Sequence, residues 1–306
     1  MKRRYVTVDV FTDRMFGGNP LAVVLDAEGL STAQMQAIAL EFNYSETTFV
    51  LPPEKSAHTA KVRIFTPRTE VPFAGHPNVG TAFVLARESP FAAAAAASGT
   101  FMFEELAGLV PLKLVRESGE IVGAELRAPE DLSRRSIVSQ EVAAACLSLR
   151  AEDIAMHVHA PQIISVGLPF LAIELHSRDA LRRSKPNIAA HAELLPLDGA
   201  DAVFAYWRER DDSLGLGETV LHARMFSPLD GIVEDPATGS ACAATIALLA
   251  TLGIDEPAGR AWRIHQGVDM GRPSLLLGRT ATRGAQVTGT HIGGRCVPVL
   301  EGTLTL

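Results

Sequence analysis

The sequence predicts an α+β protein of two alike halves, each a curled sheet around one apolar helix. Three observations predict it. A stretch of the first half recurs in the second. Each copy ends in a helix too apolar for a solvent face, such as "ACAATIALLA", so that helix must be buried all round. Strand-like segments stand before and after each such helix, as a sheet wrapped around it requires.

The repeat is the strongest of the three. "RIFTPRTEVPFAGHPNVGTAFVLA" (63–86) matches "RMFSPLDGIVEDPATGSACAATIALLA" (224–250). Both open with Arg, an aliphatic residue, Phe, a small hydroxyl residue and Pro. Both reach a shared heptad, "HPNVGTA" at 76–82 and "DPATGSA" at 235–241. The offset is 161 residues at the first landmark and 159 at the second, so a two-residue gap reconciles them. Weaker echoes keep the same order: "GNPLAVV" (18–24) with "GLPFLAI" (167–173), and "SETTFVL" (45–51) with "ADAVFAY" (200–206). A duplicated unit accounts for all four.

Each half then reads alike. Strands come first ("RYVTVDVF" and "LAVVL"; "HVHAPQIISVG" and "FLAIEL"). A polar-punctuated helix follows ("STAQMQAIALEF"; "IAAHAELLP"), then another strand, a Pro/Gly loop and the apolar helix ("NVGTAFVLARE"; "GSACAATIALLATL"). Closing strands include "VPLKLVRE" and "IVGAELRA". "SPFAAAAAASGT" (89–100) reads as a surface excursion, a helical turn or a mobile loop, with no chemical role. The boundary between halves falls near 115–130: residues 1–120 with 294–306 returning to them, and residues 121–293.

Bulk properties narrow the function. The 306 residues suffice for two domains with buried cores, and 47% hydrophobic residues argue against disorder. The formal net charge is −7, and no basic stripe interleaves with aromatics, so nucleic acid is a poor partner. "YVTVDVFTDRMF" alternates and carries two aspartates, unlike a signal peptide. No apolar run reaches the ~18 residues of a membrane span. Cys146, Cys242 and Cys296 are odd in number and far apart, which fits neither a disulfide framework nor a zinc cluster. A reducing cytoplasm is the expected compartment, and Cys242 reads as a small core residue.

The chemistry-bearing residues gather at the starts of the two apolar helices. A helix start presents unpaired N–H groups and partial positive charge. Gly75, Gly80 and Gly239 let a ligand approach the backbone, and Thr81 and Ser240 can cap or donate. If the halves face each other across a pseudo-twofold, both starts address one cleft suited to a carboxylate. His76 and Asp235 are its acid and base partners, and Glu46, leading into a buried strand, is a third carboxyl whose apolar surroundings would raise its pKa. Each residue also has a plain reading: Asp235 as helix entry, Ser240 as cap, His76 as a loop histidine bonded to backbone, Glu46 as a solvated acid. The repeat favours the shared cleft over separate coincidences. "HVH" (157–159) would place two histidines on one strand face but lacks a third metal ligand, and "GLGET" (215–219) lacks the third glycine of a dinucleotide loop. No Walker A pattern and no nucleophile elbow occurs.

"VDVFTDRMFGGNPLAVV", "NYSETTFV", "AGHPNVGTAFVL" and "EDPATGSA", with "HIGGRCVPVLEGTL" near the end, resemble the PhzF-like family, named for a phenazine-biosynthesis isomerase. The resemblance spans nearly the whole chain. It implies a fold similar to diaminopimelate epimerase: two pseudo-symmetric domains, each a curved, barrel-like, mostly antiparallel sheet around a central helix, with the site in the cleft between them. It implies a cytoplasmic homodimer acting on a small carboxylated molecule without cofactor or metal. By resemblance Glu46 takes and returns the proton, and His76, Asp235 and Ser240 are the other catalytic positions. Gly75, Gly167 and Gly239 match backbone lining the substrate, with Asn19 and Ser45 near it. Non-thiol residues stand where the epimerase relatives place cysteines. The expected activity is a cofactor-independent isomerase or epimerase, resembling trans-2,3-dihydro-3-hydroxyanthranilate isomerase. The alternatives are a non-catalytic carboxylate binder, or a lyase or dehydratase starting from the same proton abstraction.

Overall fold

The computed structural model describes residues 2–209, 219–254, 261–283 and 286–306. Residues 215–218 of "GLGET" lie outside them. The chain divides into two compact units: Met1–Arg127 with Gly293–Leu306, and Ala128–Ile292.

The first unit runs β1 (Lys2–Val10), β2 (Asn19–Val24), α1 (Thr32–Phe42), β3 (Glu46–Leu51), β4 (Ala60–Phe65), β5 (Glu70–Val71), α2 (Gly75–Leu85), α3 (Phe91–Ser98), β6 (Thr100–Glu105), β7 (Gly108–Glu117) and β8 (Glu120–Arg127). The second runs β9 (Ser133–Ile137), α4 (Gln140–Cys146), β10 (Gln162–Ser165), β11 (Pro169–Glu174), α5 (Arg178–Arg183), α6 (Ile188–Leu194), β12 (Val203–Glu209), β13 (Thr219–Ser227), β14 (Ile232–Asp235), α7 (Gly239–Thr251), β15 (Ala261–Gln266) and β16 (Ser274–Arg283). β17 (Gln286–Thr305) begins in the second unit and ends in the first.

In the first unit the sheet closes on itself. β17 pairs with both β1 and β8, and β1–β2, β3–β4, β6–β7 and β7–β8 are antiparallel. β2–β3 and β4–β6 are parallel. Eight strands thus form a ring with no open edge. α2 fills it, and all eleven of its residues are buried. A helix this close to strands needs a gap in its surface, and Gly80 supplies it. A Cβ there would lie 2.6 Å from Leu21 Cδ2 and 2.8 Å from Val10 Cγ2. Gly80 therefore serves packing, not ligand approach.

The second unit repeats the pattern. β11–β12 and β13–β15 are parallel, and β9–β10, β10–β11, β12–β13 and β15–β16 are antiparallel. α7 touches β10, β11 and β16, so the sheet wraps it, and ten of its thirteen residues are buried. Each unit has the predicted curved, mostly antiparallel sheet around a central apolar helix. Smaller helices cover the outer faces: Met35 and Ile38 of α1 pack on Phe49 and Phe65, and α4, α5 and α6 pack on Ile163, Leu171 and Ile173.

Three local expectations change. The alanine run is a regular helix, α3, tied down by Arg116, whose Nη2 donates to the Ala95 carbonyl at 2.9 Å. "HVH" is loop, not strand. His157 is exposed, whereas His159 is buried and bonds Tyr206 Oη at 2.6 Å, so the two do not share a face. Among the described residues no cluster of three His, Cys, Asp or Glu is placed to hold a metal ion. The helices α4 and α5 were not foreseen; both are short, with serine N-caps (Ser139, Ser177).

Gly80→Val tests the packing claim. Forcing a branched side chain against fully buried Leu21 and Val10 is expected to cost about 2–3 kcal/mol, read as a lowered midpoint in urea unfolding.

Candidate active site

In the first unit three predicted residues meet. Glu46 opens β3, Asn19 opens β2, and His76 is the second residue of α2. His76 Nε2 lies 3.5 Å from Glu46 Oε2, and Asn19 Nδ2 lies 3.4 Å from His76 Nδ1. Asn19 is fully buried, and the side chains of His76 and Glu46 are 6% and 17% exposed. Burial lowers the His76 pKa from 6.5 to about 3, so the ring is neutral at neutral pH. An amide nitrogen only donates. With Asn19 Nδ2 at Nδ1, the ring proton therefore sits on Nε2 and faces Glu46. The contact is a neutral N–H beside a carboxyl group, not an ion pair.

The helix register corrects the reading of His76 as a loop residue. α2 begins at Gly75, so "HPN" forms its first turn. Pro77 permits this, because first-turn N–H groups have no intrahelical partner to lose. Asn78 Nδ2 donates to the Ala74 carbonyl at 3.0 Å. Thr81 consequently lies well inside the helix and bonds Thr48 Oγ1 at 2.8 Å; it is not a cap. Ser45 precedes Glu46 and is half-buried, and Gly75 is buried as the first helical residue. Beside this turn lies Glu105, at the end of β6, which no sequence motif marks. Burial pushes its carboxyl up to about 8, against a smaller downward pull from Asn78.

In the second unit Asp235 ends β14, and α7 starts four residues later at Gly239. Asp235 is 6% exposed, and Thr238 Oγ1 donates to its Oδ2. Gln266 holds both residues from behind, its Nε2 donating to the Asp235 carbonyl at 2.8 Å and to Thr238 Oγ1 at 3.0 Å. Ser274 Oγ donates to the Pro236 carbonyl at 2.9 Å. Ser240 is half-buried in the first turn of α7, next to buried Gly239. Neither Ala74 before α2 nor Thr238 before α7 makes a side-chain cap bond to its helix. Gly167 stands apart, in the turn between β10 and β11, at φ +138° and with Pro129 Cγ only 2.7 Å from any added Cβ. Cys242 is buried in α7 and its thiol pKa is raised by burial first and by Asp235 second, so it stays protonated.

A matched pair of clamps supports the two hairpins. Arg63 Nε and Nη2 reach Glu70 at 2.7 and 2.6 Å, and its guanidinium lies 5.1 Å from the Phe65 ring centroid. Arg224 reaches Glu234 at 2.8 and 2.7 Å and lies 5.0 Å from the Phe226 centroid. Arg224 Nη1 also donates to the Ser184 carbonyl at 2.8 Å, past the end of α5. The repeated Arg-x-Phe was the available signal. The acids sit at different spacings, so alignment alone does not pair them.

Residues 8–302 match the family model described as phenazine biosynthesis-like protein, PhzC-PhzF. The chain belongs to this family. An uncharacterized isomerase of Mesorhizobium japonicum is 39% identical over 99% of this chain and 98% of its own. A trans-2,3-dihydro-3-hydroxyanthranilate isomerase of Pseudomonas chlororaphis is 36% identical over 99% of each. The crystal structure of a PhzF-family protein of Bacillus anthracis superposes with a TM-score of 0.86 over 100% of both chains, at 23% identity, a likeness of fold. Relatives that match nearly the whole chain are named isomerases, and a predicted epimerase of Pseudomonas aeruginosa is 31% identical over 99% of each chain with a TM-score of 0.79; this chain is an enzyme of the isomerase class. No helix among the described residues is long and apolar enough to cross a membrane.

Two measurements follow. Arg224→Met leaves Glu234, 11% exposed, without its cation, and is expected to cost about 3 kcal/mol; adding Glu234→Leu should recover most of it in urea unfolding. For His76, the unfolded ring binds a proton below 6.5 while the folded ring resists until about 3. Stability therefore falls as pH drops through that window, by about 3 kcal/mol at pH 4. His76→Gln should flatten that part of the stability–pH curve.

Proposed function

We propose that the protein is a cofactor-independent isomerase or epimerase that moves a proton on a small carboxylated substrate, with Glu46 as the proton carrier. The observation that carries this reading is the Glu46 carboxyl 3.5 Å from the ring of His76, both largely withdrawn from water. A carboxylate largely withdrawn from water can take a proton from carbon and return it to a second carbon, or to the opposite face of the first. Neutral His76 donates a hydrogen bond without adding a positive charge that would hold the proton on the wrong group. In the second unit Asp235 and Ser240 serve as charge partner and hydroxyl donor. The first-turn N–H groups at Gly75, and likewise those at Gly239, suit a substrate carboxylate and developing negative charge. Asn19 fixes the His76 ring, and Ser45 and Gly167 contribute to substrate binding. The protein works as a cytoplasmic homodimer.

The substrate named for the Pseudomonas relatives is the first to test. Incubation with trans-2,3-dihydro-3-hydroxyanthranilate in deuterated water should place deuterium at carbon, seen by proton NMR. Glu46→Gln should slow that exchange by about 10²–10⁴. An undiminished rate in this variant removes Glu46 as the base. Loss of water from the substrate mass indicates elimination instead, and tight binding without exchange indicates a binding protein.

A further inference from the structure

Gln266 ends β15 and is fully buried. Its amide has one orientation available. The Thr238 N–H can only donate, and it meets Oε1 at 3.1 Å. The Asp235 carbonyl can only accept, and it meets Nε2 at 2.8 Å. Two backbone groups of opposite kind thus settle which end of the side chain is oxygen and which is nitrogen. The remaining Nε2 hydrogen points to Thr238 Oγ1 at 3.0 Å. With that donor entering its oxygen, the hydroxyl directs its own hydrogen outward, and its neighbour there is Asp235 Oδ2. The chain of donors therefore runs one way only, from amide to hydroxyl to carboxylate.

The surroundings hold this chain in place. Gly267, next to Gln266, has φ +71°, and a Cβ there would lie 2.7 Å from the Pro236 carbonyl oxygen and 2.4 Å from that of Arg272. Only glycine lets β15 end so close to Pro236 and its carbonyl. The Cys242 Sγ, 3.6 Å from Gln266 Oε1, adds a second donor to the same oxygen. Of the neighbouring titratable groups, Glu234 is paired with Arg224 on β13, and the Cys242 thiol on α7 remains protonated.

We propose that Gln266 and Thr238 are positioning residues that hold Asp235 Oδ2 as an obligate hydrogen-bond acceptor, so that Asp235 meets the substrate ionised. This rests on the assignment of Asp235 to the reaction. It also refines that assignment. A protonated Asp235 would carry its proton on Oδ1, and a donor held on Oδ2 favours the ionised form, so the network favours Asp235 as base or charge partner.

The test combines a titration with a rate. The Asp235 carboxyl carbon is followed by ¹³C NMR in protein labelled at aspartate, with Asp235→Asn to assign the signal. Thr238→Val removes the hydroxyl at constant shape and should raise the titration midpoint by about one unit. It should also lower kcat for deuterium incorporation into trans-2,3-dihydro-3-hydroxyanthranilate about tenfold at nearly constant KM. Thr238→Ser restores the hydroxyl and should return both to wild type, which loss of packing alone would not do. Gln266→Met, which frees the hydroxyl to rotate, should move the midpoint the same way by less, and stands in if Thr238→Val does not fold. A wild-type midpoint in both Thr238→Val and Gln266→Met overturns the proposal. Full exchange in Asp235→Asn would instead overturn the role of Asp235 in the reaction, while the titration still decides the relay.

Discussion

Burying an α-helix on every side is the constraint from which the rest of this protein follows. α2 and α7 are each enclosed by sheet, and a side of the helix that faces strands has no room for a charged group. Such a helix can carry chemistry only at its ends, and its first turn offers leftover backbone N–H groups. The polar residues of both units accordingly collect there. What looks like an arrangement for catalysis is first a consequence of packing: an apolar cylinder leaves only its ends polar, and the candidate groups of both units are attached at its start.

The two units spend the same turn differently. In the first, the helix extends one turn earlier, taking His76 and Pro77 into α2. Enclosure there keeps the imidazole neutral. In the second, the matched residues Asp235 and Pro236 stay outside the helix, and the room before Gly239 is occupied by a side-chain network from β15. One repeat thus delivers a neutral donor and the other a hydrogen-bonded carboxylate. Duplication supplied two equivalent helix starts, and the difference of one turn made them chemically complementary.

The repeat, the two central helices and the polar residues at their starts were legible from spacing and periodicity, because these are local properties of the chain. Side-chain networks were not. Gln266 lies 31 residues from Asp235 in sequence, in a strand whose pattern is that of any half-buried strand. Glu105 looks like a solvated acid at a strand end until α2 covers it. The return of 294–306 to the first half was expected, but the closure of the first sheet depends on β17 pairing with both β1 and β8, which no sequence period encodes. Thr81 and Gly80 were misread for a related reason. Their matched partners Ser240 and Gly239 sit at a helix start, but the extra turn of α2 moves the first-unit pair inward, where the glycine admits Leu21 and the threonine bonds Thr48.

Strand register ties Glu46 to this frame. β2 and β3 are parallel with Leu21 opposite Glu46, and Asn19 lies two residues before Leu21, on the same face. Leu21 meets α2 at Gly80, and Thr48, two residues after Glu46, meets α2 at Thr81. Asn19, Glu46 and the helix-facing core residues therefore share one side of the sheet. A slip of one residue between β2 and β3 would turn Glu46 to the far face and carry Leu21 or Thr48 with it into the layer under α1. The core could not tolerate that slip, since Leu21 and Thr48 are fully buried. The distance between Glu46 and His76 is thus enforced by apolar packing several ångströms behind it, and the hydrophobic core and the candidate proton-transfer pair are specified by the same register.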